Sequence, residues 1–379
     1  MLDVQRSPAM VFHHPLPVEH RPKVGSTLHV TRMIDGFKAA GYEVEVVAGY
    51  SSERVRSMKR IRREVTSGRV FDFVYAESST APTALNDPNH LPLHPFADWG
   101  FLRFLQRQGL PVGLFYPDVH WRFPFYRTAV HPVKRRLAEV FYRFDLWWYQ
   151  RALDILFLPS SRMRLSVPGW EQSDRVIGLA PGGDIEPFEN THRAGQLHLF
   201  YVGSITPPLY DISELVRAVL AVPNVFLTVC CPLGEATLAS SFQCDRVTVI
   251  HQHGDALREQ YRMSDVACLV YPPEPYREFA MPVKMFEAIG FGRPVLASNG
   301  TTAAAFIDAT GTGWVVDDNT LVPTLARLAA DSGLVATRYD AVVAHQSEHT
   351  WESRARFVAD SLMAPPDKRP PSPTEPSTS

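Results

Sequence analysis

The segment 276–298 holds the residues best suited to chemistry. Pro282 fits the first turn of a helix, where its missing N–H costs nothing. The free N–H groups of such a turn form an anion site. Lys284 and Glu287 are three apart, so on a helix they share a face. A cation beside a helix N-terminus suits a phosphate. A carboxylate one turn deeper can accept two hydrogen bonds from vicinal hydroxyls. Phosphate and ribose at that separation describe a nucleotide. The plain alternative is a surface helix with an ordinary Lys–Glu pair.

The elements that must position these residues follow a β/α rhythm. Short apolar runs alternate with longer amphipathic ones, as in βαβ units around a parallel sheet. Strands are expected at 10–13, 44–48, 71–76, 112–116, 155–158 and 176–179. Helices are expected between them, including a basic one at 51–64 and a long one at 134–151. The rhythm restarts with strands at 197–202, 225–230, 247–250, 266–270, 295–298 and 313–316. Helices fall at 212–221, 257–263, 283–291 and 302–309. A final helix runs through Trp351 and Phe357 to about Met363.

The fold class read from this is α/β, with two Rossmann-like doubly wound domains facing each other across a cleft. Residues 1–186 form the first domain, 187–196 the linker and 197–345 the second. Residues 346–363 return to the first domain. Residues 364–379, dense in Pro, Ser and Thr, are expected to be disordered. Open α/β sheets bind ligands at the carboxyl ends of their strands, at the switch point of strand order.

Other strand ends and one helix carry candidates. Asp118 and His120 follow the fourth strand, where a histidine could orient a sugar or shuttle a proton. His13 and His14 end the first strand. No acid or cysteine is spaced with them, so a metal reading is not made. The helix 134–151 mixes cations with Phe, Tyr and Trp. That mixture suits a membrane surface, or a helix whose aromatics pack on the sheet while its cations stay solvated.

Composition narrows the classes. The chain has 379 residues, 45% of them hydrophobic, enough for two cores. Its net charge of −2 gives no general attraction to a polyanion such as nucleic acid. Cys230, Cys231, Cys244 and Cys268 form no C-x-x-C pair and read as buried small hydrophobes in a reducing compartment. The polar start is unlike a secretory signal, and no run has the ~20 apolar residues of a spanning helix. A cytoplasmic protein is expected, with a peripheral contact at the inner membrane face as an option through 134–151.

The segment 276–298 resembles the donor-binding motif of the retaining GT-B glycosyltransferases called family 4, or glycosyl transferases group 1. The resemblance extends along nearly the whole chain. Gly203-Ser204 is similar to the glycine turn opening the second domain. Residues 249–254, with His253 and Gly254, resemble the loop holding the base. Ser264-Asp265-Val266 leading to Pro272 resembles the next strand, and Trp351 onward the returning helix. Gly25 and Ser26 lie where the family's glycine loop meets the donor phosphates. Asp118 and His120 lie where it keeps a residue near the transferred sugar. Gly182-Gly183-Asp184 is similar to the turn ending the first domain.

The resemblance implies that Glu287 holds the ribose. It implies that Glu278 meets the donor sugar or faces the reacting centre. Backbone N–H groups from Ala280 to Val283 (Ala280, Met281 and Val283, around Pro282), with Lys284, would hold the diphosphate. Two departures stand out. Glu278 and Glu287 are nine apart where the family spacing is eight, and Glu274 is a second candidate for the first glutamate. The Arg and Lys common after the glycine turn are absent from 204–211, which leaves Arg277, Lys284 or Lys23 to compensate, or a donor of different phosphate content.

The implied activity is that of a retaining, hexosyltransferase-type glycosyltransferase. It would use a UDP- or GDP-sugar and a glycan, lipid-linked or other hydroxyl acceptor, for example in polysaccharide biosynthesis. No essential metal or cofactor is expected. The rivals are a GT-B epimerase acting on a nucleotide sugar and a non-catalytic homologue that binds one.

Overall fold

A computed structural model describes residues 6–18, 25–187 and 195–374. The chain divides into two units, Met1–Pro181 with Trp351–Ser377, and Gly182–Thr350.

The first unit is built on six parallel strands: β1 (Ala9–His13), β2 (Glu43–Val47), β3 (Phe73–Glu77), β4 (Val112–Phe115), β5 (Ile155–Leu158) and β6 (Val176–Gly178). Their order is β2-β1-β3-β4-β5-β6, so the order reverses between β1 and β3. β3, β4 and β5 are buried throughout, as expected of parallel strands covered on both faces. The edge strand β2 instead carries Glu43 and Glu45. Arg69 meets both at 2.7 Å, and Arg60 meets Glu45 at 2.8 Å. Charged groups of this kind keep an exposed edge from pairing with another chain.

Five helices follow in chain order: α1 (Gly25–Ala39), α2 (Ser51–Thr66), α3 (Ala97–Arg107), α4 (Pro124–Ala129) and α5 (Pro132–Ala152).

The second unit has β7 (Leu197–Val202), β8 (Val225–Cys230), β9 (Val247–Ile250), β10 (Val266–Leu269), β11 (Val295–Ser298) and β12 (Gly313–Val316). All pairs are parallel, in the order β12-β11-β10-β7-β8-β9. The reversal lies between β7 and β10. The helices are α6 (Ser213–Ala221), α7 (Ala236–Ala239), α8 (Asp255–Met263), α9 (Val283–Gly290), α10 (Thr302–Thr310), α11 (Leu321–Ala330) and α12 (Ser332–His345). Leu199, Leu227, Val266 and Leu296 from the strands join Leu215, Leu325 and Val335 from the helices in one core.

The final helix, α13 (Trp351–Met363), belongs to the first unit. It packs on α1, where a Cβ on Gly36 would stand 2.5 Å from the Trp351 carbonyl oxygen. Buried Arg354 donates to the Pro181 carbonyl at 3.1 Å.

Several details depart from the sequence reading. α4, α7, α11 and α12 are additional helices. Pro124 and Pro323 stand in first turns, where proline is tolerated. Within 364–374 of the tail there is a 3-10 turn at Pro366–Lys368 and a buried Thr374. Cys244 is exposed, whereas Cys230, Cys231 and Cys268 are buried thiols. Lys23 and most of the expected linker 187–196 lie outside the described residues. Among the described residues, no helix is long and apolar enough to cross a membrane.

Candidate active site

At the second unit's switch point, β7 leads into Gly203. Its φ of 151° belongs to the region open mainly to glycine. Its amide donates to the Cys230 carbonyl at 3.0 Å. The next three residues converge on Glu235. That carboxylate accepts from Ser204 Oγ at 2.6 Å, the Ile205 amide at 2.7 Å and Thr206 Oγ1 at 2.9 Å. These bonds hold the Glu235 carboxyl below its ordinary range despite its burial. The donors of the glycine turn thus already serve an internal anion, and a phosphate placed there would meet a negative charge.

Across the reversal, β10 leads into Tyr271. Ser298 Oγ bridges its amide and carbonyl at 2.8 Å each. A 3-10 turn at Pro275–Arg277 then swings Arg277 inward. Its guanidinium lies 4.6 Å from the Tyr271 ring centre and donates to the Pro272 carbonyl. Burial lowers its pKa from the ordinary value. Its Nη1 is buried with no hydrogen-bond partner.

The chain then runs through Ala280 and Met281 to Pro282, whose φ of −68° and ψ of 135° make it the cap before α9. The first amides of α9 have no intrahelical acceptor. One turn in, Lys284 Nζ sits 2.8 Å from Glu287 Oε2. Tyr261 Oη donates to the same oxygen at 3.2 Å. Glu287 Oε1 takes part in neither contact. The Tyr261 ring is in turn stacked on Phe291 with centroids 4.9 Å apart.

The far end of α9 is anchored tightly. A Cβ on Gly290 would stand 2.1 Å from the Asp184 oxygen, and one on Gly183 would stand 2.2 Å from the Phe286 oxygen. Gln346 donates to the carbonyls of Ile289 and Gly290 at 2.9 and 2.8 Å. Buried Glu186 takes Arg258 and Arg262, and both guanidinium groups lie over Phe291. Helix α9 is therefore a fixed platform for Lys284 and Glu287.

The other residues of the expected site are placed less tightly. His253 and Gly254 are exposed at the start of α8, two turns before Tyr261. The Glu278 carbonyl is held by the Thr302 amide and hydroxyl, both at 2.8 Å. Glu274 offers its carbonyl to the Arg277 amide. A cavity of about 300 Å³ lies on the β11–β12 side of Tyr271. Asp211, Glu214, Asp317 and Asp318 line it, which makes it unsuited to phosphate.

In the first unit, the ends of β1 and β3 carry a buried polar network. Asp98 of α3 accepts from Arg54 Nε at 2.7 Å and Nη2 at 2.9 Å, and it meets His13 Nε2 at 2.8 Å. These two partners hold its carboxyl well below the usual range against the opposing effect of burial. Arg54 Nη1 also ties the Pro15 and Gly49 carbonyls. His14 Nδ1 meets the Glu77 carbonyl at 3.1 Å, and burial pushes its pKa down to about 4. His29 Nδ1 lies 3.1 Å from both Glu77 oxygens, and its ring is stacked on Phe115. The acids that partner the histidines are far away in sequence, which is why local spacing missed them.

Gly25 and Ser26 open α1, one turn before His29. Asp118 and His120 come together. The His120 amide donates to Asp118 Oδ1 at 2.9 Å, and His120 Nδ1 lies 3.3 Å from Oδ2. Tyr126 and Tyr142 meet the His120 ring edge-on. Among the described residues, one cluster has metal-ligand composition: His345, Glu348 and His349, with ligand atoms within 4.8 Å of one another. It lies at the end of α12, not at a strand end.

The family described as glycosyl transferases group 1 matches residues 196–331, which contain β7 to β12 and α9. The fold is similar to that of Anabaena Alr3699/HepE, solved in complex with UDP and glucose. The TM-score is 0.61 and the identity 12%, over 93% of this chain and 99% of that one. Sucrose-phosphate synthase from Thermosynechococcus elongatus gives 0.60 and 16%, over 93% and 97%. WaaG, a glycosyltransferase involved in lipopolysaccharide biosynthesis, gives 0.57 and 15%, over 94% and 100%. No curated protein matches the chain by sequence. The fold is that of GT-B glycosyltransferases: two units, each a parallel six-stranded sheet within an α/β architecture.

Proposed function

We propose that the protein is a glycosyltransferase that takes its sugar from a nucleoside-diphosphate sugar. The observation that carries this reading is the Lys284–Glu287 pair at the start of the anchored helix α9, inside the segment that matches the glycosyltransferase family. The complexes of Alr3699/HepE with UDP and glucose support it by analogy.

When the bond from the anomeric carbon to the diphosphate breaks, negative charge grows on the leaving group. The helix amides at Val283 and Lys284, with the Lys284 ammonium, stabilise that charge where it develops. Glu287 accepts the ribose hydroxyls, with Tyr261 and Lys284 fixing its carboxylate. Arg277 takes the part of the cations missing after the glycine turn, because Glu235 bars that turn to phosphate. Asp118 orients His120 toward the transferred sugar. We assign Glu278 to the donor sugar's hydroxyls, with retention of configuration and a sugar or lipid-linked hydroxyl as acceptor.

The test titrates UDP, GDP and their common sugars by calorimetry into wild type and Glu287→Ala. The released nucleotide and the product's anomeric configuration are then followed with added acceptors. Binding of one nucleotide that Glu287→Ala weakens about tenfold or more, the loss of one hydrogen-bonded charged partner, supports the donor site. Binding indifferent to Glu287 removes the ribose assignment, and binding without turnover makes the protein a sugar-nucleotide binder.

A further inference from the structure

We infer that helix α5 and the loop before α3 form a surface that lies on an anionic lipid bilayer. This surface belongs to the first unit and does not rest on the reading of the donor site.

Helix α5 buries one face in the usual way, through Tyr142, Leu146 and Tyr149. Its opposite face is apolar as well. Val133 is 70% exposed, Leu137 54%, Val140 63% and Trp147 47%. The spacings of four, three and seven place them in one row ~21 Å long on a helix that rises 1.5 Å per residue. Phe144 continues the row, and Phe96 meets it edge-on at 5.9 Å. Phe96 ends a loop in which Leu91 and Leu93 are also exposed. Scattered surface apolar residues need no explanation, but a continuous row does.

Charge identifies the partner. Residues 122–151 hold seven Lys and Arg against two carboxylates, in a chain whose net charge is −2. Asp145 is buried and accepts from the Thr83 amide at 2.8 Å, and Glu139 pairs with Arg135 at 3.6 Å. Lys134 flanks the apolar row on one side, and exposed Arg136 and Arg143 flank it on the other. Arg151 lies 3.7 Å over the Trp147 ring. Long cations beside an apolar row can keep their charges at headgroup level while their stems and the row enter the acyl boundary. Trp147 matches the same boundary, apolar in body and polar at one edge. The helix is too charged to span, so it lies flat.

The experiment is flotation of the full chain with phosphatidylcholine vesicles, with and without one third phosphatidylglycerol, while Trp fluorescence is recorded. Leu137→Gln/Val140→Gln and Lys134→Gln/Arg136→Gln remove the apolar and basic halves without touching the proposed catalytic groups. The wild type should bind anionic vesicles about tenfold better than neutral ones, less so at high salt, with a blue shift of Trp emission. Each double variant should lose about tenfold while keeping the wild-type melting temperature. Equal binding to both vesicles, no binding, or unchanged variants would overturn the inference. So would a dimer by sedimentation that Leu137→Gln/Val140→Gln dissolves, since the row would then belong to a second copy.

Discussion

The two sheets reverse their strand order at two places, and the chain treats these places in opposite ways. Between β1 and β3, the strand ends hold Asp98, Arg54 and His13 in a pair network at most 3% exposed, with His14, His29 and Glu77 sealed beside it. Between β7 and β10, Lys284, Glu287 and Glu278 are all at partial exposure, and Arg277 is the buried member of the group. The first arrangement joins a strand exit, a loop and a helix through one arginine, so removing Arg54 or Asp98 strands the charge of the other. The second sits on a helix whose far end bears the mechanical load, leaving its near end available to a ligand. Polar residues at a switch point can therefore serve the scaffold or the chemistry: the sealed network serves the first, and the partly exposed Lys284 and Glu287 stay open to the second.

The largest effect expected from this contrast is at Arg54. Arg54→Ala leaves the Asp98 carboxylate buried without its bidentate partner and should cost about 3–5 kcal/mol in urea unfolding. A loss below about 1 kcal/mol would mean the first switch point is wetter and more open than described here. His14 gives a pH signature of the same sealing. Its folded pKa of about 4 lies below the ordinary value of 6.5, so the folded state binds fewer protons between those values. Its contribution is complete above pH 6.5 and is lost as pH falls to 4, about 3 kcal/mol in all. His14→Asn should flatten stability against pH across that window, and an unchanged slope would refute it.

The second switch point should respond in binding more than in stability. Glu287→Ala should weaken nucleotide binding by roughly tenfold to a hundredfold, with a stability change within about 1 kcal/mol. A large unfolding penalty instead would make Glu287 a scaffold residue like Asp98. The smallest effect is expected at Glu235. Glu235→Gln removes the negative charge from the glycine turn and should tighten UDP binding by a few-fold. Weaker binding would show that the carboxylate holds the turn in its working shape.

How much of this was legible beforehand differs between the same two places. Pro282, Lys284 and Glu287 are neighbours in sequence, and helix geometry alone puts the last two on one face. Their 2.8 Å contact follows from spacing. Asp98 and His13 are 85 positions apart, and Glu235 meets Ser204 across 31. Nothing local relates such residues. They meet because β1 lies beside β3 and β7 beside β8, which brings the segments that follow these strands together. Helix α5 lies between these cases. Its mixture of cations and aromatics is plain in the sequence, yet two apolar faces cannot be assigned until one is seen against the sheet.

The sequence by itself determined the β/α rhythm, the two halves, most strand positions and the Lys284–Glu287 pair. All of these rest on periodicity or on separations within one helical turn. Only the tertiary structure decided the strand orders, the sealed network at His13 and His14, the anion already seated on the glycine turn and the exposed row on α5. These depend on which distant segments pack together, because burial and pairing of charge are properties of the assembled layers and not of any local run.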